Sequence, residues 1–259
     1  MPLTSIDEYE LFYHEEGTAS GNPPLVFIHG WTCDHSVMLP IAERFSQDHH
    51  WIAPDALGHG RSSKPQGEYQ IETQGRLIAR LAKSWAPSKP VLVGHSMGAQ
   101  IAIEMAAQNP GAYKALVLMD PAPIIPHEKA VQFGKDVSRQ LERHDIPGML
   151  AAFARRQIIK AHDAHAVDAM VDVMTSTPAH VVKSSWASIQ NWSGAERLKQ
   201  VNCPILLISA DKPLNRPMDI ARANDKVMTA QTAGAGHMQH YEVPDQIEAM
   251  IRRFIDLLT

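Results

Sequence analysis

The sequence predicts an α/β fold built on a mostly parallel sheet with helices on both faces, and two observations carry that reading. Short, wholly apolar runs alternate with stretches of helical periodicity; strands buried on both faces read as continuous apolar runs, and helices make their return connections. The second observation is Gly94-His95-Ser96-Met97-Gly98, which stands between the apolar run Val91-Leu92-Val93 and a helix-like run over residues 99–106. G-x-S-x-G at a strand-to-helix reversal lifts the serine hydroxyl above the sheet edge, and its glycines let the two backbones pass closely. Ser96 is therefore a candidate nucleophile.

Taken in order, residues 6–13 read as a first strand, and Gly21-Asn22-Pro23-Pro24 ends it before the buried strand Leu25-Val26-Phe27-Ile28. His29-Gly30-Trp31 follows. Val37, Leu39, Ile41, Ala42 and Phe45 repeat with a helical period, and Trp51-Ile52-Ala53-Pro54 is a strand that opens onto Asp55-Ala56-Leu57-Gly58-His59-Gly60-Arg61-Ser62-Ser63. Residues 77–86 read as a helix. After the Ser96 turn, the next helix ends near Asn109-Pro110-Gly111, and Ala115-Leu116-Val117-Leu118-Met119 is a buried strand that stops at Asp120-Pro121.

There the alternation ceases. From Ile124 to about Ser193 only helical patterns recur: Phe133, Val137 and Leu141; Met149, Leu150, Phe153 and Ile158; Val167, Met170, Val171 and Met174, with breaks at Pro147 and Pro178. The strand pattern returns over residues 204–210 and weakly over 227–231, and a last helix covers 244–258. This divides the chain into core (1–123), helical cap (124–194) and core again (195–259).

At 259 residues and 44% apolar content, the chain has the size for one large α/β domain with an inserted subdomain. No stretch reaches membrane-spanning length, and the first ten residues carry neither a basic leader nor an apolar signal core. Its two cysteines, Cys33 and Cys203, lie on what read as opposite ends of the sheet, which argues against a disulfide and fits a reduced, cytoplasmic setting. No pattern supports a metal site or a cofactor. A net charge of −4 without a basic cluster gives no footprint for nucleic acid or an anionic membrane, so the expected partner is a small hydrophobic or aromatic molecule.

These pieces together resemble the α/β-hydrolase superfamily over nearly the whole chain. His29-Gly30 after an early strand, Asp55-x-x-Gly58-x-Gly60-x-Ser62, the Ser96 turn, and Gly236-His237 ahead of a final helix with Pro244 occur in that family's order. The resemblance implies an eight-stranded sheet with a cap inserted after the sixth strand. It also selects His237, among fourteen histidines, as the base. An alcohol is a poor nucleophile at neutral pH and needs such a partner. Backbone N–H groups of Met97 and Trp31 form the expected oxyanion hole, with Trp31 and Met97 also supplying an apolar floor, while His29 is expected to brace its loop.

The acid that orients His237 is less direct. Relatives usually carry it after the seventh strand, where Ile208-Ser209-Ala210-Asp211-Lys212-Pro213 places Pro213. Asp211 stands two residues early. Asp120 ends the sixth strand, a position that some lipases and the cofactor-independent ring-cleaving dioxygenases use, and the reading favours Asp120 over Asp211 because the acid must reach the histidine from a rigid element.

Two activities compete within the superfamily. Trp31 after His29-Gly30 and Met97 after Ser96 resemble cofactor-free perhydrolases and small esterases, which implies hydrolysis of a carboxylic ester or lactone through an acyl-enzyme on Ser96, and the apolar, Met-rich cap points to a medium-sized hydrophobic substrate. Gly30-Trp31-Thr32-Cys33-Asp34-His35 with Asp120 resembles the 2,4-dioxygenases that open hydroxyquinolone-type rings with a His–Asp base, although Cys33 and Met97 stand where that family carries histidines. Hydrolysis comes first; a non-catalytic receptor on the same fold is a third reading. Ile124, Ile125, Phe133, Met149, Phe153, Met170, Trp186 and Trp192 are the cap residues expected to line the pocket, with Phe153, Trp186 and Trp192 expected on the substrate beside Trp31.

Overall fold

A computed structural model describes residues 3–18, 21–142, 145–157 and 164–258. The single strand expected over residues 6–13 is instead a hairpin. Leu3–Ile6 (β1) pairs antiparallel with Tyr9–Glu16 (β2), and the chain reverses at Asp7, whose φ is 55°. Aspartate is one of the few side chains that tolerate this left-handed conformation, so the turn needs no glycine and hides inside an uninterrupted pattern.

Leu25–Ile28 (β3) is followed by a broken helical stretch: a 3₁₀ turn over His35–Met38, the helix Leu39–Ala42 (α1), and a second 3₁₀ turn over Glu43–Phe45. Pro40 lacks the amide that a longer continuous helix would use. Trp51–Pro54 (β4) precedes Ile71–Trp85 (α2), which begins six residues ahead of the predicted start at 77. Gln70 provides no side-chain cap. The first turn is capped from elsewhere in the chain, as Ser188 Oγ accepts the Ile71 N–H at 2.8 Å and Ser184 Oγ accepts the Tyr69 N–H at 2.9 Å.

Val91–His95 (β5), Met97–Gln108 (α3) and Ala115–Met119 (β6) follow as predicted. Between β6 and the next strand lie Glu128–Leu141 (α4), Ile146–Gln157 (α5), Ala164–Thr175 (α6) and Ala179–Asn191 (α7), with no strand among the described residues. Ile158, assigned above to this helical pattern, falls outside the described residues. Gly194–Gln200 (α8) leads back to Ile205–Ser209 (β7), Pro217–Ala223 (α9), Val227–Gln231 (β8), Gln239–Glu242 (α10) and Pro244–Asp256 (α11).

The eight strands form one sheet in the order β1-β2-β4-β3-β5-β6-β7-β8, parallel from β4 onward. Side chains alternate between its two faces. Val26, Ile28, Leu92, Leu116 and Leu118 pack on the face that receives α2 and α3, whereas Leu25, Phe27, Val91, Val93 and Val117 pack toward α1 and α11. β3, β4, β5, β6 and β7 are thus buried on both sides, as their apolar sequences require.

Parallel strands place their C-terminal ends along a common edge. His29-Gly30-Trp31, Ser96 and Asp120 leave the sheet there from β3, β5 and β6. Both cysteines are unpaired thiols, and no helix among the described residues is long and apolar enough to cross a membrane.

Candidate active site

Ser96 sits at φ 52° and ψ −113°, between the end of β5 and the first turn of α3. Crowding enforces this turn. A Cβ on Gly98 would lie 2.1 Å from the Ile28 carbonyl oxygen, and one on Gly94 would lie 2.3 Å from the Gly98 carbonyl oxygen. Only glycines let strand and helix approach so closely. Three of the four described non-glycine residues with positive φ are Thr32, Ser96 and Asp120, all at this edge. Each such conformation costs about 1–3 kcal/mol and persists only where the surroundings hold it.

Asp120 follows β6 with φ 36° and is 2% exposed. Its backbone N–H donates to the Ile208 carbonyl at 2.8 Å, which ties the residue to β7. The carboxylate turns toward His237: Asp120 Oδ2 lies 2.7 Å from His237 Nδ1, and Oδ1 accepts the Ala210 N–H at 3.4 Å. A carboxylate accepts, so Nδ1 carries a proton, and in the neutral imidazole Nε2 keeps its lone pair. His237 and Ser96 line the same cavity.

Asp211 does something else. It is exposed, its backbone N–H donates to the Ala235 carbonyl at 3.1 Å, and its carboxylate accepts the Gly234 N–H at 3.3 Å. The side chain braces the loop that carries His237 without reaching the ring. Buried Asn215 secures the other loop, as its Nδ2 donates to the Pro121 carbonyl at 2.8 Å and its Oδ1 accepts the Ile124 N–H at 2.7 Å. Nothing in the sequence around Asn215 marks it for that task.

Two further histidines support His237. His95 Nε2 donates to the His237 carbonyl at 2.9 Å, and the His95 ring lies 4.6 Å from the His237 ring and 4.3 Å from that of His240. Burial pushes the His95 pKa well below the ordinary histidine value, and burial with the neighbouring His237 lowers that of His240 to about 3. Both are neutral near pH 7. His29 braces its loop as expected, with Nδ1 donating to the Gly30 carbonyl at 2.8 Å and Nε2 accepting the Ala56 N–H at 3.0 Å.

The cavity above Ser96 is narrow, about 40 Å3, which is room for roughly three water molecules. Trp31, Phe133, Phe153, Met174, Trp186 and Met238 supply much of its apolar wall. Trp31 meets Phe153 edge-on at 5.6 Å and Trp186 at 4.7 Å. Phe133, Phe153 and Trp186 thus lie where the sequence reading put them, and Met174 and Leu214 join them unforeseen.

Trp192 does not. Its indole N–H donates to Glu104 at 2.8 Å, and Glu104, fully buried in α3, also pairs with Arg197 at 3.1 Å. A buried carboxylate needs such donors, and Trp192 turns away from the cavity to provide one. Ile124, Met149 and Met170 are likewise packing residues outside the cavity wall.

Among the described residues, Asp34, His35 and Asp55 are close enough to suggest a cation site. Their ligand atoms are already engaged. Asp55 accepts from the His35 backbone at 2.7 Å, the His35 ring at 2.8 Å and the Arg61 N–H at 2.7 Å, while Asp34 accepts the Ser36 N–H at 2.9 Å. The group fastens the loop after β3 to the loop after β4.

A sequence profile of the alpha/beta hydrolase family matches residues 25–250. A 2-(acetamidomethylene)succinate hydrolase of Mesorhizobium japonicum is 36% identical over 106 residues, a stretch that covers 41% of this chain and 38% of that protein. Among solved structures, a thermophilic esterase of Thermogutta terrifontis superposes with a TM-score of 0.84 at 21% identity, covering 99% of this chain and 97% of its own. The enol-lactonase of Burkholderia xenovorans gives 0.86 at 18% identity, with 98% and 100% covered. These two likenesses are of fold.

Proposed function

This chain belongs to the alpha/beta hydrolase family, and from that premise we propose that it is a serine hydrolase that cleaves a medium-sized hydrophobic carboxylic ester or lactone through an acyl-enzyme on Ser96. The observation that carries the reading is the 2.7 Å contact between Asp120 and His237 Nδ1, which leaves Nε2 as a base at the cavity that Ser96 lines. The protein is a hydrolase by family; the substrate class and the roles below are inferred from the residues.

His237 Nε2 takes the Ser96 proton as Oγ attacks the ester carbonyl, and buried Asp120 holds the ring and stabilises the imidazolium that results. Negative charge on the former carbonyl oxygen is received by the backbone N–H groups of Met97 and Trp31. Met97 opens α3, where first-turn N–H groups have no partner within the helix. The tetrahedral adduct collapses with cleavage of the ester C–O bond, and the imidazolium protonates the departing alkoxide. Water then repeats the sequence on the acyl-enzyme, with His237 as base, and frees the acid and Ser96.

An apolar wall built from Trp31, Phe133, Phe153 and Trp186 favours aromatic or aliphatic groups over charged ones. Because the space is narrow, admission of a medium-sized substrate requires outward movement of α4 and α5, and residues 124–194 act as a cap.

The test is a panel of esters and lactones with purified protein, combined with fluorophosphonate labelling and mass mapping. Hydrolysis of panel members and modification of Ser96 are expected; an unlabelled Ser96 and no hydrolysis would refute the reading. The His237–Asp120 pair, with its acid after β6, also suits a cofactor-independent dioxygenase acting on a hydroxyquinolone. Oxygen uptake with that substrate, surviving loss of Ser96, would favour this second reading.

A further inference from the structure

Trp31 carries two separate groups that matter here. Its backbone N–H is the oxyanion donor of the reading above, on which this inference rests, and its indole N–H is held by the helical insertion. Nε1 donates to the Val182 carbonyl at 3.2 Å and to Ser185 Oγ at 3.1 Å, both in α7, and Ser185 Oγ in turn donates to the Val181 carbonyl at 2.6 Å. All donors find acceptors, and the network is dry: Trp31 is 5% and Ser185 1% exposed.

The next residue is held from the same side. Thr32 has a φ of 59°, its hydroxyl donates to the Trp31 carbonyl at 2.7 Å, and its own carbonyl accepts the Thr177 hydroxyl at 3.1 Å. Thr177 lies just ahead of α7 and is buried. A β-branched residue is rarely stable at positive φ without outside support. Part of that support comes from the segment between β6 and β7.

We propose that α7 is a positioning element for the oxyanion loop: Ser185, through the Trp31 indole, and Thr177, through the Thr32 carbonyl, set the Trp31 backbone N–H where the oxyanion forms. Seating of α7 and completion of the oxyanion site are then one event. A substrate that binds but displaces α7 is turned over slowly, so the insertion selects through kcat as well as through fit. Ser185 and Thr177 are positioning residues; neither touches the reacting atoms.

Trp31→Phe keeps the backbone donor and an aromatic, smaller ring while it deletes the indole N–H. It should lower kcat about tenfold, since small displacements of an oxyanion donor weaken transition-state stabilisation steeply. KM on a small ester should change less than kcat, as the phenyl ring still lines that part of the wall. Ser185→Ala should act in the same direction by about threefold, with Val182 still accepting, and the double variant should be no worse than Trp31→Phe alone. Affinity for an aryl boronic acid, which forms a tetrahedral adduct on serine, should fall in step with kcat/KM. Additive losses, a loss confined to KM, or unchanged turnover in both single variants would overturn the proposal. Should Ser185→Ala fail to fold, Trp31→Phe reads the same bond from its other end. Failure of the wild-type protein to be labelled on Ser96 by a fluorophosphonate strikes the acyl-enzyme reading itself, whereas a labelled wild type with an unaffected Trp31→Phe variant strikes this inference alone.

Discussion

The loops after β6 and β7 leave the same edge of the sheet side by side, and each begins with an aspartate near its strand end. They differ in what the backbone does next. Asp120 is turned to φ 36°, buried and fastened to β7 through its own N–H, and its carboxylate meets His237 at 2.7 Å. Asp211 is exposed, and its carboxylate accepts the Gly234 amide of the loop that carries His237. The comparison teaches that whether an aspartate reaches the histidine depends on where a strained, pinned backbone aims it. Sequence distance from the expected position decides less. The two aspartates also divide the labour of one task, since one holds the ring and the other holds the loop beneath it.

The largest expected effect underlies both sides of the comparison. Ser96→Ala should lower ester turnover by at least about a thousandfold while the fold is kept, as loss of a nucleophile does in serine hydrolases. Retention of a tenth of wild-type turnover would remove the covalent route. Next comes the comparison itself: Asp120→Asn should reduce kcat by roughly a hundredfold to ten-thousandfold, because an amide favours the wrong tautomer and cannot stabilise the imidazolium. A comparable loss from Asp211→Asn, beside a mild one from Asp120→Asn, would reverse the assignment.

The β6 loop leads straight into the helical insertion, whereas the β7 loop does not, so the functional side of the comparison extends to α7. Trp186→Ala should shift relative rates toward bulkier acyl groups by about tenfold, the low end of what one methylene is worth in an apolar pocket. Trp192→Ala should leave the relative rates alone and lower thermal stability, because Glu104 loses a buried donor. An ester series measured on both variants decides this, and equal changes in selectivity would erase the distinction between the two tryptophans.

Acid sharpens the contrast by another route. His95 and His240 beside His237 have depressed pKa values, with that of His240 near 3. Their neutral forms are favoured in the folded state, while the unfolded chain binds protons below an ordinary histidine value of about 6.5. Stability is therefore fully present above that value and is lost as pH falls from it toward 3. Calorimetry from pH 7 to 4 should show a falling Tm, and His240→Gln should flatten the slope by up to one proton taken up on unfolding. A slope unchanged in that variant would mean that His240 titrates normally. The smallest effect belongs to Asp211→Asn, expected to change kcat by no more than about twofold, the range of an exposed substitution.

Local sequence was sufficient for the alternating strands, the Ser96 turn and the loss of alternation after Asp120, because those features are written in residues adjacent in the chain. Apolar runs demand burial on both faces of a sheet, and two glycines at fixed spacing demand a close strand–helix crossing. Three-dimensional contact decided the rest. The early start of α2 depends on caps from Ser184 and Ser188, more than a hundred residues away. The split of roles between Trp186 and Trp192 depends on Glu104, a charge that cannot stay buried without donors and so draws one indole away from the cavity. The hairpin at Asp7 escaped the pattern because its reversal needs only one left-handed residue. For Asp120 and Asp211 the sequence supplied both carboxylates but not their directions, since the direction follows from a positive φ and a backbone bond to β7 that exist only once the neighbouring strands have paired.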